Sequence, residues 1–359
     1  MGPQRTHSGG VKMKNRGSKV MAGVFLGMFL SFLSGIFNFA SSAPIVLRYS
    51  THLPARNPIT VAQVEGLNLI EKKTNGAVKF EKFYDGTLIG VRDCWEELLK
   101  GTADLVSVSA QTSPGEKLMP LYIMINNAWI GLKDMHVQLR IQKQLLKEFP
   151  EMAQEWSAVK PLSFHGIPDV NFHTKKQIRT LADFKGLQVR GIGSWPKHTV
   201  EKLGASLVAM PVTELYLALQ KGIIDGVMLD NTVLSGFRLA EVTRYTMYMG
   251  GVFPGINQRM CMNVNTWKKL APEIQKVFEE TGEWIDNFYI EKIYESLSES
   301  LAFAKEKRHE FISLPPQELA KLHDLLREEA FGEAKKLDAK GLPATKIFNR
   351  VQELIRQAR

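Results

Sequence analysis

The sequence predicts an α/β chain built as two similar lobes with a cleft between them, and three observations carry that prediction. A helix, glycine, strand unit occurs twice, as Leu99-Lys100-Gly101-Thr102-Ala103-Asp104-Leu105-Val106 and as Gln220-Lys221-Gly222-Ile223-Ile224-Asp225-Gly226-Val227. Each copy is entered alike: an amphipathic run ends at Gly76 before Val78-Lys79-Phe80-Glu81, and another ends at Gly204 before Leu207-Val208-Ala209-Met210. A solitary arginine, Arg190, ends a strand just ahead of the second copy. A unit repeated once, about 120 positions apart, fits two lobes, whereas a solenoid needs three or more shorter repeats.

The elements follow in order. Residues 45–49 (IVLRY) are apolar and β-branched enough for a buried strand, followed by the loop Ser50-Thr51-His52-Leu53-Pro54. Asn57 and Pro58 supply the N-cap and first turn of a helix reaching about Thr74. A strand at 78–84, a helix at 92–100 and a strand at 104–109 complete an alternating pattern that predicts a mostly parallel sheet. Ligands of such sheets sit at the carboxyl ends of the strands, which nominates Thr51, His52, Thr112 and Ser113. A helix at 136–149 and a strand at 162–166 lead to Ile167-Pro168-Asp169, a crossing into the second lobe. There a strand at 187–190, the loop Gly191-Ile192-Gly193-Ser194-Trp195-Pro196, a helix at 197–203 and the second repeat reproduce the first lobe's order. A strand containing Met260 to Asn263 follows, and long helices dominate from Pro272 onward.

The chain has 359 residues, 44% hydrophobic and 23% charged, which suits two globular domains. The formal charge of +9 is less telling than it looks: Arg5, Lys12, Lys14, Arg16 and Lys19 stand together without an acid, and setting these five aside leaves +4. No basic run with interleaved aromatics follows, so nucleic acid is not an expected partner. That basic start precedes the uncharged segment 20–40 and then Ala40-Ser41-Ser42-Ala43, the pattern of a secretory signal over 1–42 cleaved near Ala43. An uncleaved anchor is the alternative, since the segment reaches the roughly 20 residues a spanning helix needs. The mature chain is expected to be exported, periplasmic and free of stable membrane insertion. Its two cysteines, Cys94 and Cys261, make no disulfide framework and are expected to be buried free thiols.

Catalytic motifs are missing. Gly191-Ile192-Gly193 lacks the third glycine of a dinucleotide loop, and Trp195-Pro196 would crowd a pyrophosphate. There is no P-loop, no His-Glu-x-x-His and no Gly-x-Ser-x-Gly elbow. Histidines 52, 136, 165, 173 and 198 show no metal-ligand spacing, so neither cofactor nor metal is expected. Arg190 stands out by position: an arginine at the mouth of a parallel sheet offers a planar fork to a carboxylate. The turn Met228-Leu229-Asp230-Asn231 should face the same cleft, although Asp230 and Asn231 serve equally well as loop caps.

The stretch 178–250, containing IRTLADFKGLQVRG and LQKGIIDGVMLDN, closely resembles solute-binding proteins of tripartite ATP-independent periplasmic (TRAP) transporters, the DctP family. The likeness extends back through TNGAVKFEKFYDGTLIG and LLKGTADLVSVSAQTSPG and forward to CMNVNTW, nearly the whole mature chain. The resemblance implies a two-lobed periplasmic binding protein fold with crossing strands, a long helix spanning both lobes and a cleft that closes on a small organic acid. It implies lobe I over 43–167 and 255–295, lobe II over 168–254 and 296–359, and delivery of the acid to TRAP membrane permease subunits. In the family an arginine in the pattern Lys-Gly-Leu-x-x-Arg clamps the ligand carboxylate; here that is Lys185-Gly186-Leu187-Gln188-Val189-Arg190.

Two departures shape the expected ligand. Where many members follow the Asp-Gly turn with Gln-Glu-Asn-Pro, this chain has Val227-Met228-Leu229-Asp230-Asn231. Where some sugar-acid binders carry a second arginine, it has Asp169-Val170-Asn171-Phe172. The expectation is a monocarboxylate with an apolar or aromatic body against Phe172, Trp195, Met228 or Leu229, Asp230 leaving room for a hydroxyl, an amine or a cation. Three rival readings remain: a sensor presenting its liganded form to a receptor kinase, a periplasmic enzyme acting on a carboxylate with Asp230, His52 or His173 as its base or nucleophile, and a cell-envelope scaffold that uses the lobes for protein contacts.

Overall fold

The computed structural model describes residues 43–110, 112–115, 117–132, 134–191 and 197–358, and among them the chain forms two β-sheets flanked by helices. The first half runs β1 (Ile45–Ser50), α1 (Pro58–Lys73), β2 (Val78–Phe83), α2 (Cys94–Lys100), β3 (Leu105–Ser109), α3 (Pro120–Ile125), β4 (Trp129–Ile130), α4 (Met135–Glu148), α5 (Pro150–Gln154) and β5 (Val159–Gly166). The chain then crosses to β6 (Val170–Thr174), β7 (Gln188–Arg190), α6 (Lys197–Lys202), β8 (Ser206–Val208), α7 (Leu215–Lys221), β9 (Gly226–Asp230), α8 (Val233–Gly236) and β10 (Tyr245–Phe253). It returns through β11 (Ile256–Asn263) and α9 (Val264–Lys269), then finishes with α10 (Pro272–Glu306), β12 (Glu310–Ser313), α11 (Pro316–Asp338) and α12 (Ala344–Gln357).

The strand orders are β2-β1-β3-β11-β5 in the first sheet and β12-β10-β6-β9-β7-β8 in the second, with β4 pairing β10. The expectation of mostly parallel sheets needs correction, because both sheets are mixed. The wound pairs β1–β2, β1–β3, β7–β8 and β7–β9 are parallel, while β11 runs antiparallel to β3 and β5, and β6 antiparallel to β9 and β10. The antiparallel strands are those that pass between sheets: β5 leads directly into β6, and β10 into β11.

The repeat is a real structural equivalence. Gly101 and Gly222 close α2 and α7 with φ of 79° and 72°, a left-handed conformation that glycine adopts without steric cost. Three residues on, Asp104 Oδ2 accepts from the Arg48 amide at 2.8 Å and the Asp104 amide donates to the Arg48 carbonyl at 2.9 Å. Asp225 makes the same exchange with Gln188, at 2.9 and 2.8 Å. Each aspartate thereby splices its strand to the parallel neighbour, and the match places Arg190, two residues beyond Gln188, where the first sheet has Ser50, two beyond Arg48.

The first core lies around the first sheet and includes Leu67, Leu105, Trp129, Phe278 and Tyr289; the second sheet carries separate clusters around Phe172 and Phe184 on one face and Leu215 and Leu229 on the other. The 35-residue α10, roughly 50 Å long at 1.5 Å per residue, packs on α1 and β5 and reaches α8. Along it, Tyr289 donates to the Gly166 carbonyl at 2.5 Å, Tyr294 accepts from the Met135 amide at 3.0 Å, and Ser300 donates to the Thr232 carbonyl at 3.1 Å. The stretch 296–359 divides between cores: Leu322 and Leu326 join the second, while Ala330, Ala334, Ile347 and Val351 join the first. Cys94 and Cys261 are free and buried, and burial pushes the Cys261 thiol up to about 12. No described helix is long and apolar enough to cross a membrane.

Candidate functional site

β7 ends at Arg190 because the strand's register with β9 stops there, with Arg190 opposite Val227. Its Nε and Nη2 both donate to the Met210 carbonyl at 3.3 Å, and no carboxylate pairs with it among the described residues. Burial lowers its pKa, the mark of a charge partly stripped of water. A half-buried guanidinium bonded to a single carbonyl keeps donors for an anion.

β9 continues three residues past Val227. Leu229 belongs to the apolar cluster against which Val208, Met210 and Val212 pack, and it shares a face of β9 with Val227, the residue opposite Arg190. Asp230 is buried; its Oδ1 accepts from the Thr232 amide at 2.9 Å and also from the Thr232 hydroxyl, so it caps the turn. Burial first, and the nearby Asp169 charge last, raise its pKa. Burial likewise raises Asp169. The β6–β9 register sets Asn171 opposite Leu229, and the Asn171 amide nitrogen donates to Asn231 Oδ1 at 3.2 Å.

The remaining expected residues follow strands β1 and β3 of the first sheet. Thr51 is buried after β1 and accepts from the Leu53 amide at 3.2 Å. His52 lies 3.4 Å from Gln258 of β11 through Nε2 and Nε2, and burial lowers its pKa. Ser109, facing Gln258 across the β3–β11 pair, contacts the Thr112 hydroxyl at 3.3 Å, and Thr112 is exposed. Ser113 is buried and its hydroxyl accepts from the Trp95 amide at 3.4 Å, so that oxygen is engaged with α2.

Two expected contacts are corrected. Phe172 and Met228 are 0% and 1% exposed, opposite one another in the β6–β9 pair, and both belong to the second core, where Phe172 stacks on Phe184 at 5.0 Å. Strand side chains alternate between faces, and these two take the face away from Asn171 and Leu229. Trp195 lies outside the described residues. Met210 and Asn171 were not singled out from sequence. A carbonyl acceptor leaves no residue-type signal, and Asn171 gains its place only through a pairing some 60 residues distant.

The His173 ring, with its pKa lowered to about 4 by burial, meets the Thr246 hydroxyl at 2.8 Å and the Leu229 carbonyl at 3.1 Å. Among the described residues no three His, Cys, Asp or Glu side chains are grouped to hold a metal.

Two sheets with their own cores, joined by strand crossings and one long helix, make the two-lobed α/β fold of a solute-binding protein. The chain belongs to the bacterial extracellular solute-binding protein family 7, DctP, whose profile matches residues 49–330. An uncharacterized Salmonella typhimurium protein is 28% identical over 58% of this chain and 64% of its own length. The 2,3-diketo-L-gulonate-binding periplasmic protein YiaO of Escherichia coli is 21% identical over 79% of this chain and 86% of its own. The fold matches a TRAP periplasmic solute-binding protein from Desulfovibrio salexigens at TM-score 0.76 and 27% identity, covering 88% of this chain and 97% of that one. It also matches a TRAP solute-binding protein from Rhodoferax ferrireducens, crystallised with copurified benzoate, at TM-score 0.72 and 19% identity, covering 87% and 98%.

Proposed function

We propose that the protein captures a small monocarboxylate between its lobes and delivers it to a TRAP-type membrane permease. The observation that carries this reading is the half-buried Arg190 guanidinium, held by the Met210 carbonyl, without a carboxylate partner among the described residues, at a strand end where β9 carries the apolar Leu229 two positions beyond Val227. A desolvated bidentate arginine–carboxylate pair is strong and orienting. The apolar Leu229 favours an acid with an apolar or aromatic body, and the benzoate carried by the Rhodoferax neighbour is such an acid. Thr51, His52, Thr112, Ser113, Leu229, Asp230 and Asn231 form the rest of the proposed site. The lobes turn on the 166–170 and 253–256 crossings, with lobe I over 43–167 and 255–295; closure is driven by contacts available only when both lobes meet the ligand.

The protein binds without turnover in this reading: His173 is engaged with Thr246 and Leu229, and Asp230 with Thr232. Calorimetric titration with benzoate, short alkanoates and 2-oxo acids tests the proposal, with proton NMR of each mixture over a day. Saturable one-to-one binding of at least one acid that is recovered unchanged is the expected result. Conversion of a bound acid would establish an enzyme, and no binding across the series would remove the carboxylate reading.

A further inference from the structure

The hydrogen bonds around Asn171 fix the orientation of Asn231. Asn171 Oδ1 accepts from the Met249 backbone amide at 3.1 Å, and an amide N–H can only donate, so the Asn171 side chain cannot be reversed. Its nitrogen therefore points the other way, toward three acceptors: Asn231 Oδ1 at 3.2 Å, and the Asp169 carbonyl and Oδ2, each at 3.4 Å. Asn231 must then present its oxygen to Asn171 and its nitrogen elsewhere. That nitrogen has no partner among the described residues, although Asn231 is only 6% exposed.

Asn231 lies on the Arg190 side of the sheet. Arg190 stands opposite Val227, Leu229 follows two residues later on the same face, and Asn171 is paired with Leu229. The Asn171–Asn231 bond joins Asn231 to that face.

We propose that Asn171 is a positioning residue that holds Asn231 as a donor to the ligand, so that the preferred acid carries an oxygen acceptor besides the carboxylate bound by Arg190. This rests on the carboxylate reading and deepens it, because it specifies the hydrogen-bond polarity of the ligand body. An ether, keto or hydroxyl oxygen satisfies Asn231, whereas a hydrocarbon leaves its N–H groups unpaired when the cleft closes and an amine meets them with more N–H.

The test uses methoxy-, ethyl- and aminobenzoates substituted at the 2-, 3- and 4-positions, which match closely in charge at pH 8 and differ in what the substituent offers. Dissociation constants are measured by calorimetry for the unaltered protein, for Asn171→Asp and for Asn231→Asp, with thermal melts alongside. At the position that reaches Asn231, the unaltered protein should prefer methoxy over ethyl and amino by about tenfold. In Asn171→Asp the new carboxylate still accepts from Met249 but also accepts from Asn231, which turns over and shows its oxygen to the ligand. In Asn231→Asp an oxygen faces the ligand directly. Both changes should reverse the ranking to amino over methoxy, a ratio that general weakening of the fold or added negative charge would not invert. Asn231→Asp keeps the test open if Asn171→Asp fails to fold. Equal affinity for methoxy and ethyl compounds at every position, or an unchanged ranking in both variants, overturns the inference while leaving Arg190 as the clamp. Failure of every benzoate and of simple alkanoates to bind removes the carboxylate reading and this inference together.

Discussion

The Arg190 guanidinium and the Met210 carbonyl meet through two donors of one side chain, Nε and Nη2, each at 3.3 Å. Met210 follows β8 and Arg190 ends β7, so the bond ties two neighbouring strand ends and settles the direction of the fork without using up its donors.

Arg190→Lys keeps the charge and loses the fork. A hydrogen bond to a charged group is worth about 1.5–3 kcal/mol, and lysine does not replace a planar bidentate contact. Acid affinity should fall by roughly tenfold or more while the melting temperature stays within a few degrees. A calorimetric titration beside a thermal melt checks both.

Gly226, the first residue of β9, permits the β6–β9 contact. A Cβ there would stand 2.6 Å from Phe172 Cε2 and 2.8 Å from the His173 carbonyl oxygen, and the carbonyl is fixed in the ladder. Gly226→Ala should destabilise by about 1–3 kcal/mol, the cost typical of overpacking. A urea midpoint equal to that of the unaltered protein would show that β6 yields.

Glu155 gives a pH dependence with a definite sign. Burial pushes its carboxyl up to about 7, against the lowering effect of the Leu121 and Tyr122 amides that it accepts at 2.8 and 2.9 Å. The folded chain therefore holds a proton that the unfolded chain, near 4.3, has released. The stability this adds is complete below about 4.3 and is lost as pH rises through about 7. Glu155→Gln cannot ionise, so its stability relative to the unaltered protein should improve from pH 5 to pH 8 in urea titrations. A constant difference across that interval would contradict the assignment.

His173 acts in the opposite sense. Its ring titrates near 4 in the fold, held down mainly by burial, against about 6.5 unfolded. The neutral ring contributes stability above pH 6.5 that is lost as pH falls toward 4. His173→Gln should flatten the acid limb of a melting-temperature profile between those values, and an unchanged limb would count against a neutral buried ring.

What could be read from the sequence follows from how local the causes are. Gly101 and Gly222, with Asp104 and Asp225, act within a few residues of chain and one neighbouring strand, so the repeat survives as a visible pattern. The end of β7 at Arg190 is legible for the same reason. The placing of Phe172 and Met228 depends on which face each residue of β6 and β9 takes, and a shift of one position exchanges the faces, so composition does not settle it. The mixed sheets arise from crossings between lobes that no short window contains. Asn171 became legible only when the structure brought Met249 and Asn231 to its two ends.

Whether Arg190 holds the carboxylate of a captured acid is tested by mass spectrometry of the small molecules released from the purified protein, with Arg190→Ala prepared in parallel. One organic acid in near-stoichiometric amount from the unaltered protein, and none from the variant, is the predicted result. The same acid at equal yield from both proteins would contradict it.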